Sequence, residues 1–167
     1  MMELKTKEKV AEHEVSFDEN GKIILKKKSL VSKGKKSKSS GGQFELRVRK
    51  DLEERGFIID KWSNNINLET KSIHPAKRKY NPFAKVMTIG TGFPDFIAFQ
   101  KREGKRYEII GVEVKINGTL NRIEKEKCKL YLEKETFSQI LIAKKVKEKN
   151  RVRVEYTDAK EILGRMR

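Results

Sequence analysis

Two apolar runs, "FPDFIAF" at 93–99 and "YEIIGVEVKI" at 107–116, flank the polar "QKREGKR", and this spacing constrains the fold more than any other feature of the chain. Each run has strand length and Glu103-Gly104 is a turn signal, so the pair predicts an antiparallel hairpin folded about Gly104. That register sets Asp95 directly opposite Glu113, with their Cβ atoms about 4.5–5.5 Å apart. A period of two puts Lys115 on the same face and sends Phe96, Ala98, Val112 and Val114 to the other, toward a core. Acidic residues and lysine are poor strand formers. Two facing carboxylates also repel unless a cation lies between them.

Upstream, "FELRVRKDLEERGF" predicts a helix: Phe44, Val48 and Leu52 recur at i+4, Ser39, Ser40 and Gly41 offer N-caps, and Gly56 is placed as the stop. Glu45 lies seven residues before Leu52, about 20° away around the helix axis. It should therefore project from the buried side, where an unpaired carboxylate is not tolerated. "FIIDKW", 57–62, follows as a strand. Beyond the hairpin, 120–135 predicts a helix, "FSQILIAKK" and "RVRVEYT" predict strands, and Asp158 caps a last helix. The order of elements describes an α/β chain with a mixed sheet and helices against it.

The chain has 40 Lys plus Arg against 24 Asp plus Glu, a net charge of +16, so a polyanion, nucleic acid first, is the natural partner. No run of 18 or more apolar residues exists and the N-terminus is too polar for a secretory signal, so an intracellular protein is expected, in the cytoplasm or, if viral, the host cytoplasm. The single Cys128 excludes an intrachain disulfide and a Cys-based zinc site. His13 and His74 lie in dissimilar surroundings, a poor start for a metal site. Scarce Gln beside abundant Lys and Glu hints at a thermophilic source.

Residues 15–25 predict a hairpin with a type I′ turn at Asn20-Gly21. The acid-free stretch 26–42 reads as a flexible basic tether, in which Lys35, Lys36 and Lys38 can track a phosphate backbone. Residues 64–92 form a long basic insertion. In it Lys71, Lys77, Arg78 and Lys79 supply charge, and Tyr80 and Phe83 supply faces for stacking bases. The amides around Thr91 can meet a phosphate, and Arg49 adds a cation on the helix. Domain limits follow: 1–40 for hairpin and tether, 41–167 for the main domain with its insertion.

The chemistry that needs Asp95, Glu113, Lys115 and Glu45 together is phosphodiester hydrolysis. Mg²⁺ takes hard oxygen ligands, here Asp95, Glu113 and a backbone carbonyl such as that of Val114, with Glu45 supporting the metal or its water, and Mn²⁺ can substitute. A metal-bound water becomes the nucleophile, and lysine positions it or offsets charge in the transition state.

These residues carry a resemblance. Glu45, then Pro94-Asp95, then Glu113-Val114-Lys115 resembles the PD-(D/E)XK nuclease superfamily over about residues 41–145, and the chain looks most like the archaeal-type Holliday junction resolvases. "PDFIA", "EVK", "ILIAKK" and the distance from Glu45 to Gly56-Phe57 all agree with them. The resemblance implies a restriction-endonuclease-like fold, a mixed sheet flanked by helices, to which the N-terminal hairpin is an appendage. It also implies a homodimer that nicks branched DNA in recombination and repair, with Mg²⁺ and no small-molecule cofactor. Three features depart from that pattern: the insertion at 64–92, the N-terminal extension, and Glu124 and Glu126 on the second helix. "GFPD…EVKINGTL" is also similar to VRR-type nuclease domains, which favour flaps. Two further readings are a restriction-type nuclease and a DNA-binding protein that keeps the fold without the chemistry.

Overall fold

The computed structural model describes residues 12–17, 22–81, 85–90, 92–149 and 151–164. The chain divides into two compact units, residues 1–43 and 44–167.

In the first unit, β1 (His13–Phe17) pairs antiparallel with β2 (Ile23–Lys27), the hairpin expected over 15–25. The Asn20-Gly21 turn lies outside the described residues. Directly after β2, helix α1 (Lys28–Glu54) begins, and this corrects the expected tether: the lysine-rich stretch is helical from Lys28 onward. The composition had suggested a linker because Ser, Gly and repelling lysines are weak helix formers. The stretch contains no proline, however, and adding turns to an existing helix is far cheaper than nucleating one. Gly34, Gly41 and Gly42 lie on this helix with open space where a side chain would stand.

The second unit is built on a mixed five-stranded sheet in the order β11-β10-β9-β8-β3, where β3 is Ile58–Lys61, β8 is Phe96–Lys101, β9 is Tyr107–Lys115, β10 is Gln139–Glu148 and β11 is Arg151–Asp158. Only the β9–β10 pair is parallel, and helix α2 (Arg122–Glu133) supplies its crossover. A short helix, α3 (Ala159–Gly164), follows β11, and the amide of Lys160 donates to Asp158 Oδ1 at 2.8 Å, the cap that the sequence predicts.

Both sheet faces are covered. Phe96, Ala98, Ile110 and Val112 pack with Phe44, Val48 and Leu52 of α1. Ile140 and Ile142 point the other way, into a cluster with Cys128 and Tyr131 of α2, Phe137 and Ala159. Alternate residues of the central strands thus feed two cores, which is why these strands read as apolar runs.

The described residues of the insertion at 64–92 form two small hairpins. β4 (Asn64–Ile66) pairs with β5 (Ile73–Pro75), and β6 (Arg78–Asn81) pairs with β7 (Val86–Ile89). Among the described residues no helix is long and apolar enough to cross a membrane.

Candidate active site

The β8–β9 pairing runs from Lys101 opposite Tyr107 to Phe96 opposite Val112, the register expected from a turn about Gly104. One step beyond its last pair, Asp95 meets Glu113. Their contact is reciprocal: the Asp95 amide donates to Glu113 Oε2 at 3.1 Å, and the Val114 amide donates to Asp95 Oδ2 at 2.9 Å. In an extended strand the N–H and C=O of one residue point to the same side, so the Val114 carbonyl also faces Asp95.

Asp95 is aimed by packing on both sides. Its carbonyl accepts the Trp62 amide at 3.1 Å, which extends the β3–β8 register by one residue. The preceding Pro94 is fully buried, and a Cβ on Gly111 would stand 2.8 Å from its Cγ. Gly111 therefore makes room for the proline that carries Asp95 into place. Gly92 has a similar role: a Cβ there would collide with the Trp62 carbonyl oxygen, so close backbone approach accounts for this glycine.

Glu113 is only 4% exposed. Burial, with the Asp95 charge adding to it, pushes its carboxyl up to about 7. Burial also raises Asp95, against the opposing pull of the Val114 amide, and Glu45 and Lys115 act on it with opposite signs. The buried polar face is balanced by Lys115, whose Nζ lies 2.9 Å from Glu113 Oε1 and 2.6 Å from Glu124 Oε1. Burial alone would lower the Lys115 ammonium, but the hydrogen bonds to Glu124 and Glu113 outweigh it and the net shift is upward.

Glu124 is the residue that the sequence reading left out of the site. Its Oε2 accepts the Asn121 amide at 2.8 Å while Asn121 Oδ1 accepts the Glu124 amide at 2.9 Å, a capping box at the start of α2. One carboxylate thus closes the helix end and holds the lysine. The N-x-x-E spacing at 121–124 was the available signal for the cap, but nothing local in sequence announces the bond to Lys115. Cys128, four residues on, is fully buried beside this cluster, and burial with the charges of Glu113 and Glu124 pushes its thiol up to about 12.

Glu45 sits at the rim of the site. Phe44, Val48 and Leu52 take the buried face of α1. The Glu45 side chain is 34% exposed and lies 3.6 Å from Lys61 Nζ. This corrects the expected projection from the buried side: an angular offset of about 20° from Leu52 does not bury a side chain two turns away along the helix. Glu45, Lys61, Trp62, Ser63, Gly90, Gly92 and Asp95 line a cleft of about 330 Å³. Lys61, which also favours the charged form of Asp95, is a second residue the sequence reading missed.

Among the described residues no three His, Cys, Asp or Glu side chains converge on one metal-sized position. The donor chemistry nonetheless suits a hard divalent cation: two carboxylates in mutual repulsion, a carbonyl on the same side, and a lysine as the present counter-charge.

The expected nucleic-acid contacts divide differently. Arg49 is engaged structurally, donating to Glu53 Oε1 at 2.9 Å and to the Ile59 carbonyl at 3.1 Å. Lys71, Lys77, Arg78 and Tyr80 are exposed on the insertion, and Lys35, Lys36 and Lys38 are exposed on α1. Lys79 belongs to β6. Phe83 and Thr91 lie outside the described residues. No protein-family model, curated protein or solved structure matches the chain.

Proposed function

We propose that the chain is a metal-dependent DNA endonuclease of the PD-(D/E)XK type with a restriction-endonuclease-like core. The observation that carries this reading is the reciprocal Asp95–Glu113 pair at the end of β8 and β9 with Lys115 beside it. Costly buried carboxylates of this kind need a cation-dependent purpose. The strand order, with one parallel pair bridged by α2, supports the same reading.

Asp95, Glu113 and the Val114 carbonyl would hold Mg²⁺ or Mn²⁺. When bound, the ion supplies a water of lowered pKa and neutralises charge on the phosphate oxygens. Lys115 remains tethered by Glu124 and offsets negative charge building on the phosphate. Glu45, which lines the same cleft as Asp95, would support the metal or its water. Lys61 draws the phosphate toward the cleft.

The net charge of +16 suits a nucleic-acid substrate. Branched DNA is the proposed class, cut by a homodimer as a Holliday junction resolvase cuts. A cleavage panel of four-way junction, flap, single-stranded and linear duplex DNA tests this, with Mg²⁺ or EDTA and with wild type or Glu113→Gln. Paired nicks in the junction, lost with EDTA and in the variant, are expected. Cutting of flaps or duplex instead would assign a VRR-like or restriction-type nuclease. Salt-sensitive binding without any cutting would leave a DNA-binding protein on this fold.

A further inference from the structure

The β6–β7 hairpin carries apolar side chains that the protein itself does not cover. Tyr80 and Met87 are direct partners across the two strands and each is 59% exposed, while Val86 on the opposite face is also exposed. Side chains paired in this way normally gain their stability by covering one another against a core. The segment that carries them is rich in cations: residues 64–92 contain Lys71, Lys77, Arg78, Lys79 and Lys85 against the single acid Glu69. An apolar and aromatic edge framed by positive charge complements a base face framed by phosphates.

The hairpin rises from the rim of the cleft. The Gly90 amide donates to the Lys77 carbonyl at 3.0 Å and closes the hairpin at its base, and Gly90 lines the cleft together with Asp95 and Glu45. Met87 is three residues from Gly90, a reach of about 10 Å along a strand. That is about three nucleotide steps. One DNA branch is therefore long enough to meet both the hairpin and the cleft.

We propose that β6–β7 is a wedge that enters the branch point of the DNA, with Tyr80 and Met87 stacking on the terminal base pair of an arm. The placement rests on reading the cleft as the cutting site. A linear duplex offers no open base face there, whereas a branch does. The wedge would thus select branched over linear DNA with no base-edge readout.

The test uses the full chain in EDTA, where nothing is cut. Its probes are a four-way junction with 2-aminopurine at the branch and a linear duplex of the same arm sequence. Wild type should bind the junction more tightly and quench its fluorescence, since stacking quenches 2-aminopurine. The double variant Tyr80→Ala, Met87→Ala should lose about tenfold in junction affinity and the quenching, while duplex affinity stays within about twofold. Tyr80→Trp should retain both. Because both side chains are exposed, folding should be unaffected, and unchanged circular dichroism checks this.

A double variant that keeps the junction preference and the quenching would overturn the wedge, as would a wild type that binds junction and duplex alike. Mg²⁺-dependent cutting is scored separately. Cutting that persists unchanged in the double variant leaves the nuclease reading standing without the wedge. Quenching with no cutting in Mg²⁺ does the reverse.

Discussion

The carboxylates of Asp95 and Glu113 are crossed: Glu113 accepts the amide of Asp95 at 3.1 Å, and Asp95 accepts the amide of Val114 at 2.9 Å. Each acid stands where a strand-to-strand hydrogen bond would otherwise go. The pair therefore locks the open end of the hairpin while keeping two negative groups close together. Its stability must depend on protonation and on cations.

Glu113 has a folded-state pKa raised from 4.5 to about 7. A raised carboxyl contributes stability that is fully present below about 4.5 and lost as the pH climbs through about 7, here on the order of 3 kcal/mol. In EDTA, Glu113→Gln should match wild type near the lower limit and melt several degrees higher by about pH 8. Lys115 stays paired with Glu124 in that variant, so no buried charge is stranded. Melting curves over this range decide it: a difference that does not change with pH would sink the assignment of the raised group.

Metal should restore what deprotonation removes. Millimolar Mg²⁺ is expected to raise the wild-type melting temperature above about pH 7, where both acids are charged, and to do little near pH 5, where protons compete. Asp95→Asn should abolish the shift. Equal Mg²⁺ stabilisation at both pH values, or in the variant, would place the ion elsewhere.

Glu124 joins the cap of α2 to Lys115, and two substitutions separate these roles. Asn121→Ala removes the cap and should cost about 1 kcal/mol in denaturant unfolding while cleavage stays near wild type. Glu124→Gln keeps a hydrogen-bonding side chain but leaves Lys115 with Glu113 as its only carboxylate. Mg²⁺ must then displace a tighter pair, and its affinity should fall about tenfold, within the range usual for partners of metal ligands. Equal Mg²⁺ titrations for Glu124→Gln and Asn121→Ala would reduce Glu124 to a helix cap.

Gly41 and Gly42 lie within α1 with nothing near their missing side chains. Replacing both with alanine should increase helical circular dichroism and stabilise the helix by about 0.5–1 kcal/mol at each position. A flexible tether would show neither change.

The hairpin and its crossed acids were legible in the sequence because alternation and the turn at Gly104 fix a register locally. That register then carries Asp95, Glu113 and Lys115 to one face. The lysine-rich part of α1 was not legible, since its composition matches a linker and its helicity extends from the amphipathic turns beginning at Phe44. The hairpins of 64–92 have strands of three or four residues, too short for a period to show. Lys61 and Glu124 were missed for another reason: each meets its partner only after distant elements pack.

Cys128 is the only thiol in the sequence, fully buried and held at about 12 beside negative charge. It contributes almost no thiolate near neutral pH and meets no reagent from solvent. The protein is thus already a blank background for maleimide chemistry. One exposed substitution such as Ser37→Cys on α1 would give a unique attachment point for a fluorophore, with the native cysteine left in place.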